Sequence, residues 1–108
     1  MRIAVCDDDR AIRDEISRLV KKQMPEADIA AYQSGEEMIS AGEDFDISFL
    51  DIEMGKVSGM DIARHIREKE ASLTQRSILI FVTGYREYME EAFDVNAFHY
   101  LIKPIDPE

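Results

Sequence analysis

Strand-like and helix-like runs alternate along this chain from one end to the other, and that alternation restricts it to a parallel sheet covered by helices. Met1 to Cys6 reads as a buried first strand, and Ile12, Ile16, Leu19 and Val20 then fall at helical spacing between Asp9 and Lys22. Met24-Pro25 ends that helix, because the residue before a proline is driven out of the α region. Asp28 to Tyr32 is a second strand. Ser34 followed three residues later by Glu37 is a capping-box signature for a short helix through about Ala41. Phe45 to Leu50 forms a third strand, and Ile62, Ala63 and Ile66 supply the inward stripe of a helix starting at Ser58, with Gly55 and Gly59 bracketing the loop between. Ser77 to Val82 holds an unbroken apolar run, as expected of a strand covered on both faces. Arg86 to Phe93 is a fourth helix and Phe98 to Ile102 a fifth strand, closing at Lys103-Pro104. A doubly wound domain that stops there lacks the helix that normally covers its last strand, so a segment cut short at its C-terminus is expected, with one domain over residues 1–108.

Charge and cysteine content narrow the function. Thirteen basic against 23 acidic residues give a formal charge of −10, which repels phosphate backbones and anionic lipid, so neither nucleic acid nor membrane is expected as a direct partner. The single cysteine, Cys6, rules out an internal disulfide and a multi-thiolate metal site, as is usual in a reducing compartment; the cytoplasm is the expected location. No run approaches the roughly 18 apolar residues of a spanning helix.

In open parallel sheets the ligand crevice lies outside the carboxyl ends of the strands, so the residues just after each strand are the ones to collect. Strand one ends in Asp7 and Asp8, strand three in Asp51, strand four in Thr83 and strand five in Lys103. Two carboxylates ~4 Å apart repel by about 4 kcal/mol at an effective dielectric near 20, so three of them need a compensating cation. Oxygen-only ligands favour Mg²⁺, or Mn²⁺, over zinc. A carboxylate beside such an ion can attack a phosphoryl group. Asp51, alone at its strand tip, is the candidate nucleophile; Thr83 would donate a hydrogen bond to one phosphoryl oxygen and Lys103 would pair with another.

The whole chain resembles the receiver domain of two-component response regulators, through VCDDD at 5–9, FLDIEM with Gly59 at 49–59, FVTG at 81–84 and YLIKP at 100–104. The resemblance implies a flavodoxin-like α/β fold, a doubly wound five-stranded parallel sheet of order 2-1-3-4-5. It implies phosphotransfer from a sensor histidine kinase to Asp51. Asp8, Asp51 and the Glu53 backbone carbonyl would bind the metal directly, and Asp7 through water. Thr83, followed by Gly84, matches the switch hydroxyl, Lys103 the phosphoryl-binding lysine and Tyr100 the aromatic switch position, with Lys103-Pro104 as a cis peptide. The segment from Gly84 to Pro104 looks more like receivers of LytTR-type transcription regulators, which implies a C-terminal output domain that would contact DNA, and homodimerisation on phosphorylation. Two departures from the pattern stand out: Gly55 occupies a position where proline is common, and the last helix is missing.

Two competing readings remain open. A phosphatase of the haloacid dehalogenase type also uses a strand-end aspartate, but Asp51-x-Glu53 replaces the Asp-x-Asp it wants and no cap segment exists. A receiver-like scaffold that is never phosphorylated is the other. His65 and His99 lack a second imidazole at ligand spacing and read as non-catalytic, Cys6 as a core residue, and Glu87, Glu90 and Glu91 as a solvated helix face with Tyr88, Met89 and Phe93 beside it.

Overall fold

The computed structural model describes residues 1–104. Its elements run β1 (Arg2–Cys6), α1 (Arg10–Gln23), β2 (Asp28–Tyr32), α2 (Gly35–Ala41), β3 (Ile47–Leu50), α3 (Gly59–Lys69), β4 (Ile78–Thr83), α4 (Met89–Asp94) and β5 (His99–Ile102). All strand pairs are parallel, in the order β2-β1-β3-β4-β5. The predicted topology is therefore the observed one. The strand order reverses between β1 and β3, the switch point at which an open parallel sheet places its ligand site.

The period of two in β1 explains both faces of the sheet. Ile3 and Val5 point into one cluster with Ile16 and Val20 of α1, while Ala4 and Cys6 point into another with Leu50, Phe81, Ile62 and Ala63. Each of these β1 side chains is at most 1% exposed, which is why the strand reads as a continuous apolar run. At about 1.5–3 kcal/mol per fully buried aliphatic side chain, the two clusters dominate the energetics of the fold.

Helix ends follow their caps. The Asp9 side chain accepts from the Ala11 N–H at the start of α1, and Ser34 accepts from the Glu37 N–H at the start of α2, which closes on Gly42 in the left-handed region (φ 63°). A full reciprocal box forms at α3, where Ser58 accepts from the Asp61 N–H and Asp61 accepts from the Ser58 N–H. Helix α4 departs from expectation. It begins at Met89, not Arg86, because residues 86–89 close a turn through the Met89 N–H to Arg86 carbonyl bond (3.2 Å), and its N-cap Tyr88 makes no side-chain cap. Its far end is held by Arg67 of α3, whose guanidinium donates to the carbonyls of Val95 (2.7 Å), Asn96 (3.0 Å) and Ser77 (2.8 Å). Among the described residues no helix follows β5, and none is long and apolar enough to cross a membrane.

Candidate functional site

Two loops at the carboxyl ends of β1 and β3 bring Asp7, Asp8 and Asp51 together. One carboxylate oxygen from each lies within 4.8 Å of the others. Asp7 and Asp51 are buried, whereas Asp8 is exposed and closes the corner from the solvent side. Their backbones are fixed by the sheet. The Asp7 N–H donates to the Tyr32 carbonyl (3.1 Å) and the Asp51 N–H to the Cys6 carbonyl (3.0 Å), so both carboxylates inherit the register of β1 against its neighbours. Arg13 adds a bond from Nη1 to the Asp7 carbonyl (2.8 Å). Sequence reasoning missed Arg13; its place one turn into the helix that follows the acidic pair was the available signal.

The side chains are held as firmly. Asp7 Oδ1 accepts from the Asp9 N–H (2.9 Å) and Asp51 Oδ1 from the Ile52 N–H (2.7 Å). Lys103 Nζ reaches across from the end of β5 to Asp51 Oδ2 (3.0 Å) and lies 2.9 Å from Asp7 Oδ2. The contact with Asp7 is an ion pair without hydrogen-bond alignment, which leaves a buried carboxylate oxygen with no aligned donor. The Lys103 backbone is held at the end of β5 by its own N–H, which donates to the Thr83 carbonyl (2.9 Å); the Lys103-Pro104 peptide is cis.

Burial pushes the Asp7 carboxyl above the usual aspartate range, with Lys103 and the Asp9 N–H pulling partly back. Burial also lowers the Lys103 ammonium, but Asp7 and Asp51 more than offset it and the net shift is upward. A carboxyl raised by folding contributes stability that is fully present below its unfolded pKa and is lost as pH rises through its folded one. Asp7→Asn removes that loss. Its stability advantage over the wild type, read from denaturant midpoints without divalent ions, is expected to widen as pH rises from about 4 to about 7. A gap that is constant or narrows would show that Asp7 is not strained by ionisation.

The remaining candidates lie around this corner. Thr83 is fully buried at the end of β4, and its Oγ1 accepts from the Tyr85 N–H at 3.4 Å. A Cβ added at Gly84 would meet nothing within 4 Å, so the glycine leaves open space beside Thr83. Tyr100 packs on Phe81 with ring centroids 6.0 Å apart and donates its hydroxyl to the Tyr85 carbonyl, linking β5 to the loop after β4. Glu53 points away from the carboxylates, and its Oε2 accepts from the Tyr88 hydroxyl (2.9 Å). That bond was not anticipated; the tyrosine and the glutamate are 35 residues apart and no periodicity connects them.

The donor set fits a hard divalent cation. All three ligand groups are carboxylates, one oxygen from each lies within 4.8 Å of the others, and Asp7 Oδ2 lacks an aligned donor. Three carboxylates against the Lys103 ammonium and the Arg13 guanidinium also leave the corner short of positive charge.

The sequence profile of the response regulator receiver domain matches residues 3–108. The chain belongs to that family. Among characterised relatives, the sensory transduction protein LytT of Bacillus subtilis is 31% identical over 110 residues, and LytT of Enterococcus faecalis is 36% identical over 113. Each alignment covers 100% of this chain and 44% of the relative, so the chain spans less than half the length of these proteins. In three dimensions the receiver domain superposes on the BeF3-activated receiver domain of DrrB from Thermotoga maritima with a TM-score of 0.84 at 27% identity, covering 98% of this chain and 86% of that one. It superposes on the response regulator TrrA of the same organism, in complex with Mg(2+)-BeF, with a TM-score of 0.77 at 29% identity, covering 97% and 88%.

Proposed function

We propose that this receiver domain is a phosphoacceptor, switched by transfer of a phosphoryl group to Asp51 from a phosphohistidine of a sensor histidine kinase in the cytoplasm. The observation that carries the proposal is the single corner in which Asp51 shares its surroundings with Asp7, Asp8 and Lys103. In the transfer, an Asp51 carboxylate oxygen bonds to phosphorus, the phosphorus–nitrogen bond of the donor breaks, and its electron pair returns to the imidazole, which takes up a proton. Asp8, Asp51 and the Glu53 backbone carbonyl would hold Mg²⁺ or Mn²⁺ directly and Asp7 through water; the ion neutralises charge on the phosphoryl oxygens. Lys103 then exchanges one of its carboxylate contacts for a phosphoryl oxygen, and Thr83 donates its hydroxyl to another. The displaced Thr83 moves the loop that Tyr100 grips, and α4 follows.

The product is a switched surface rather than a released substrate, so the domain acts in signalling. In a longer protein of the LytT kind, the switch would act on a C-terminal DNA-binding output domain, with homodimerisation on phosphorylation, while this acidic domain itself contacts neither DNA nor membrane.

Acetyl phosphate plus Mg²⁺ is expected to add the mass of one phosphoryl group, and beryllofluoride plus Mg²⁺ to shift the amide resonances of Thr83, Gly84 and Tyr100. No mass gain together with unchanged resonances would leave a scaffold. Steady release of p-nitrophenol from p-nitrophenyl phosphate would instead indicate a phosphatase.

A further inference from the structure

The Tyr88–Glu53 hydrogen bond joins the loop after Asp51 to the first turn of α4, and neither the fold nor the phosphoacceptor chemistry requires it. Glu53 stands two residues beyond Asp51 in a loop whose near end is fixed: the Ile52 N–H binds Asp51 Oδ1, and the Ile52 carbonyl accepts from the Gly59 N–H (2.8 Å). Between these anchors the loop turns through Gly55 in the left-handed region (φ 98°). The Glu53 side chain therefore leaves the loop between these two anchors.

At the other end, Tyr88 is the N-cap of a six-residue helix that has no side-chain cap, so the first turn of α4 depends on what Tyr88 touches and on the Glu91 ion pair with Arg64. Its carbonyl accepts from the Ala92 N–H (3.1 Å), its ring meets Tyr85 edge-on at 6.2 Å, and its hydroxyl holds Glu53. Two ties from α3 also hold α4: Arg64 to Glu91 (3.0 Å) in its first turn, and Arg67 at its far end. Only the Tyr88 tie reaches the site loop among these.

We propose that Tyr88 is a positioning residue for the cation loop: its hydroxyl holds Glu53 so that cation binding at Asp7, Asp8 and Asp51 is coupled directly to the first turn of α4. The coupling rests on the phosphoacceptor reading above and adds to it a second route, through Glu53, beside the one through Thr83 and Tyr100. Because the bond is a charge-assisted one at the surface, its loss weakens cation binding modestly and decouples the helix more completely.

The test is a titration of the 108-residue chain with Mg²⁺ alone, followed by amide chemical shifts. In the wild type, Glu90 to Ala92 are expected to respond together with Asp8 and Asp51. In Tyr88→Phe, which keeps the ring, the response of Glu90 to Ala92 falls to less than about half and the Kd for Mg²⁺ rises about threefold, the scale of one exposed charged contact. Glu53→Ala gives the same result, the double variant is no worse than either, and Glu53→Gln, which still accepts the hydroxyl, restores most of the coupling. A full α4 response with unchanged affinity in Tyr88→Phe, or Glu53→Gln as impaired as Glu53→Ala, overturns the proposal. Absence of any wild-type response at Asp8 and Asp51 overturns the phosphoacceptor reading itself, and the coupling with it.

Discussion

Asp51→Asn is expected to abolish the mass gain of one phosphoryl group from acetyl phosphate and, in the absence of divalent ions, to raise the melting temperature. The first effect follows from chemistry: an amide oxygen is a poor nucleophile and cannot form the acyl phosphate. The second follows from magnitudes. One oxygen of each carboxylate lies within 4.8 Å of the others, so at an effective dielectric of about 20 Asp51 repels buried Asp7 by roughly 3.5 kcal/mol or more and exposed Asp8 by less, while Lys103 at 3.0 Å returns about 5.5 kcal/mol. With the cost of burying a charge on the same side, the balance leans toward repulsion, and each kcal/mol of it is about 4–8 °C in Tm for a domain of this size. The same variant is expected to lose most of the stabilisation that Mg²⁺ gives the wild type, since binding to the native state alone stabilises in proportion to affinity. Phosphorylation persisting in Asp51→Asn would place the acceptor elsewhere, and a lowered Tm would mean that the Lys103 pair outweighs the crowding.

Gly59→Ala is expected to be the most damaging single-methyl change in the molecule. A Cβ at this position would lie 1.9 Å from the Asp51 carbonyl oxygen and 2.8 Å from its carbon, and both are backbone atoms that no rotamer change can move. Alanine's better helix propensity returns at most ~1 kcal/mol at the first position of α3. Overpacking against backbone costs about 3 kcal/mol or more, so the clash wins and Tm falls by roughly 10–15 °C. Relief requires the end of β3 to separate from α3, which carries Asp51 away from Asp8 and Lys103; a displacement of about 1 Å is enough to slow phosphoryl acceptance roughly 100-fold. Thermal unfolding and the rate of acetyl phosphate labelling measure the two effects separately. A variant within about 2 °C of the wild type would show that helix and strand end adjust at little cost.

Much of the fold was legible because the signals that encode it are local. The apolar run of β1, the 3.6-residue stripe of α1, Pro25 after Met24 and the Ser34 cap each act within a few residues, and the element order follows from such signals. Element ends were less legible. The expected strand from Phe45 begins at Ile47, and the helix expected from Arg86 begins at Met89, because a turn closed by a backbone bond carries no side-chain signature. The full capping box at α3 uses Asp61, a shorter acid than the usual glutamate, and so was not visible as a motif. Cys6 behaves as the small core residue expected. It is 1% exposed, and burial, with Asp7 adding to it, pushes its thiol up to about 12, too high for a thiolate at neutral pH.

For the candidate site, residue types and strand-end positions were readable because an open parallel sheet delivers every strand's carboxyl end to one edge. Their distances were not. That Lys103 would sit 2.9 Å from Asp7 and 3.0 Å from Asp51, that Arg13 would hold the Asp7 carbonyl, and that Tyr88 would reach Glu53 depend on contacts between residues 6 to 96 positions apart. The sequence by itself determined which groups end up at one edge of the sheet, since hydrophobic period and turn chemistry are properties of neighbouring residues. Which of those groups touch, which lose their water and how the loop after Asp51 is tied to α4 were decided only by tertiary packing, because Coulomb and hydrogen-bond energies depend on separations that no local pattern encodes.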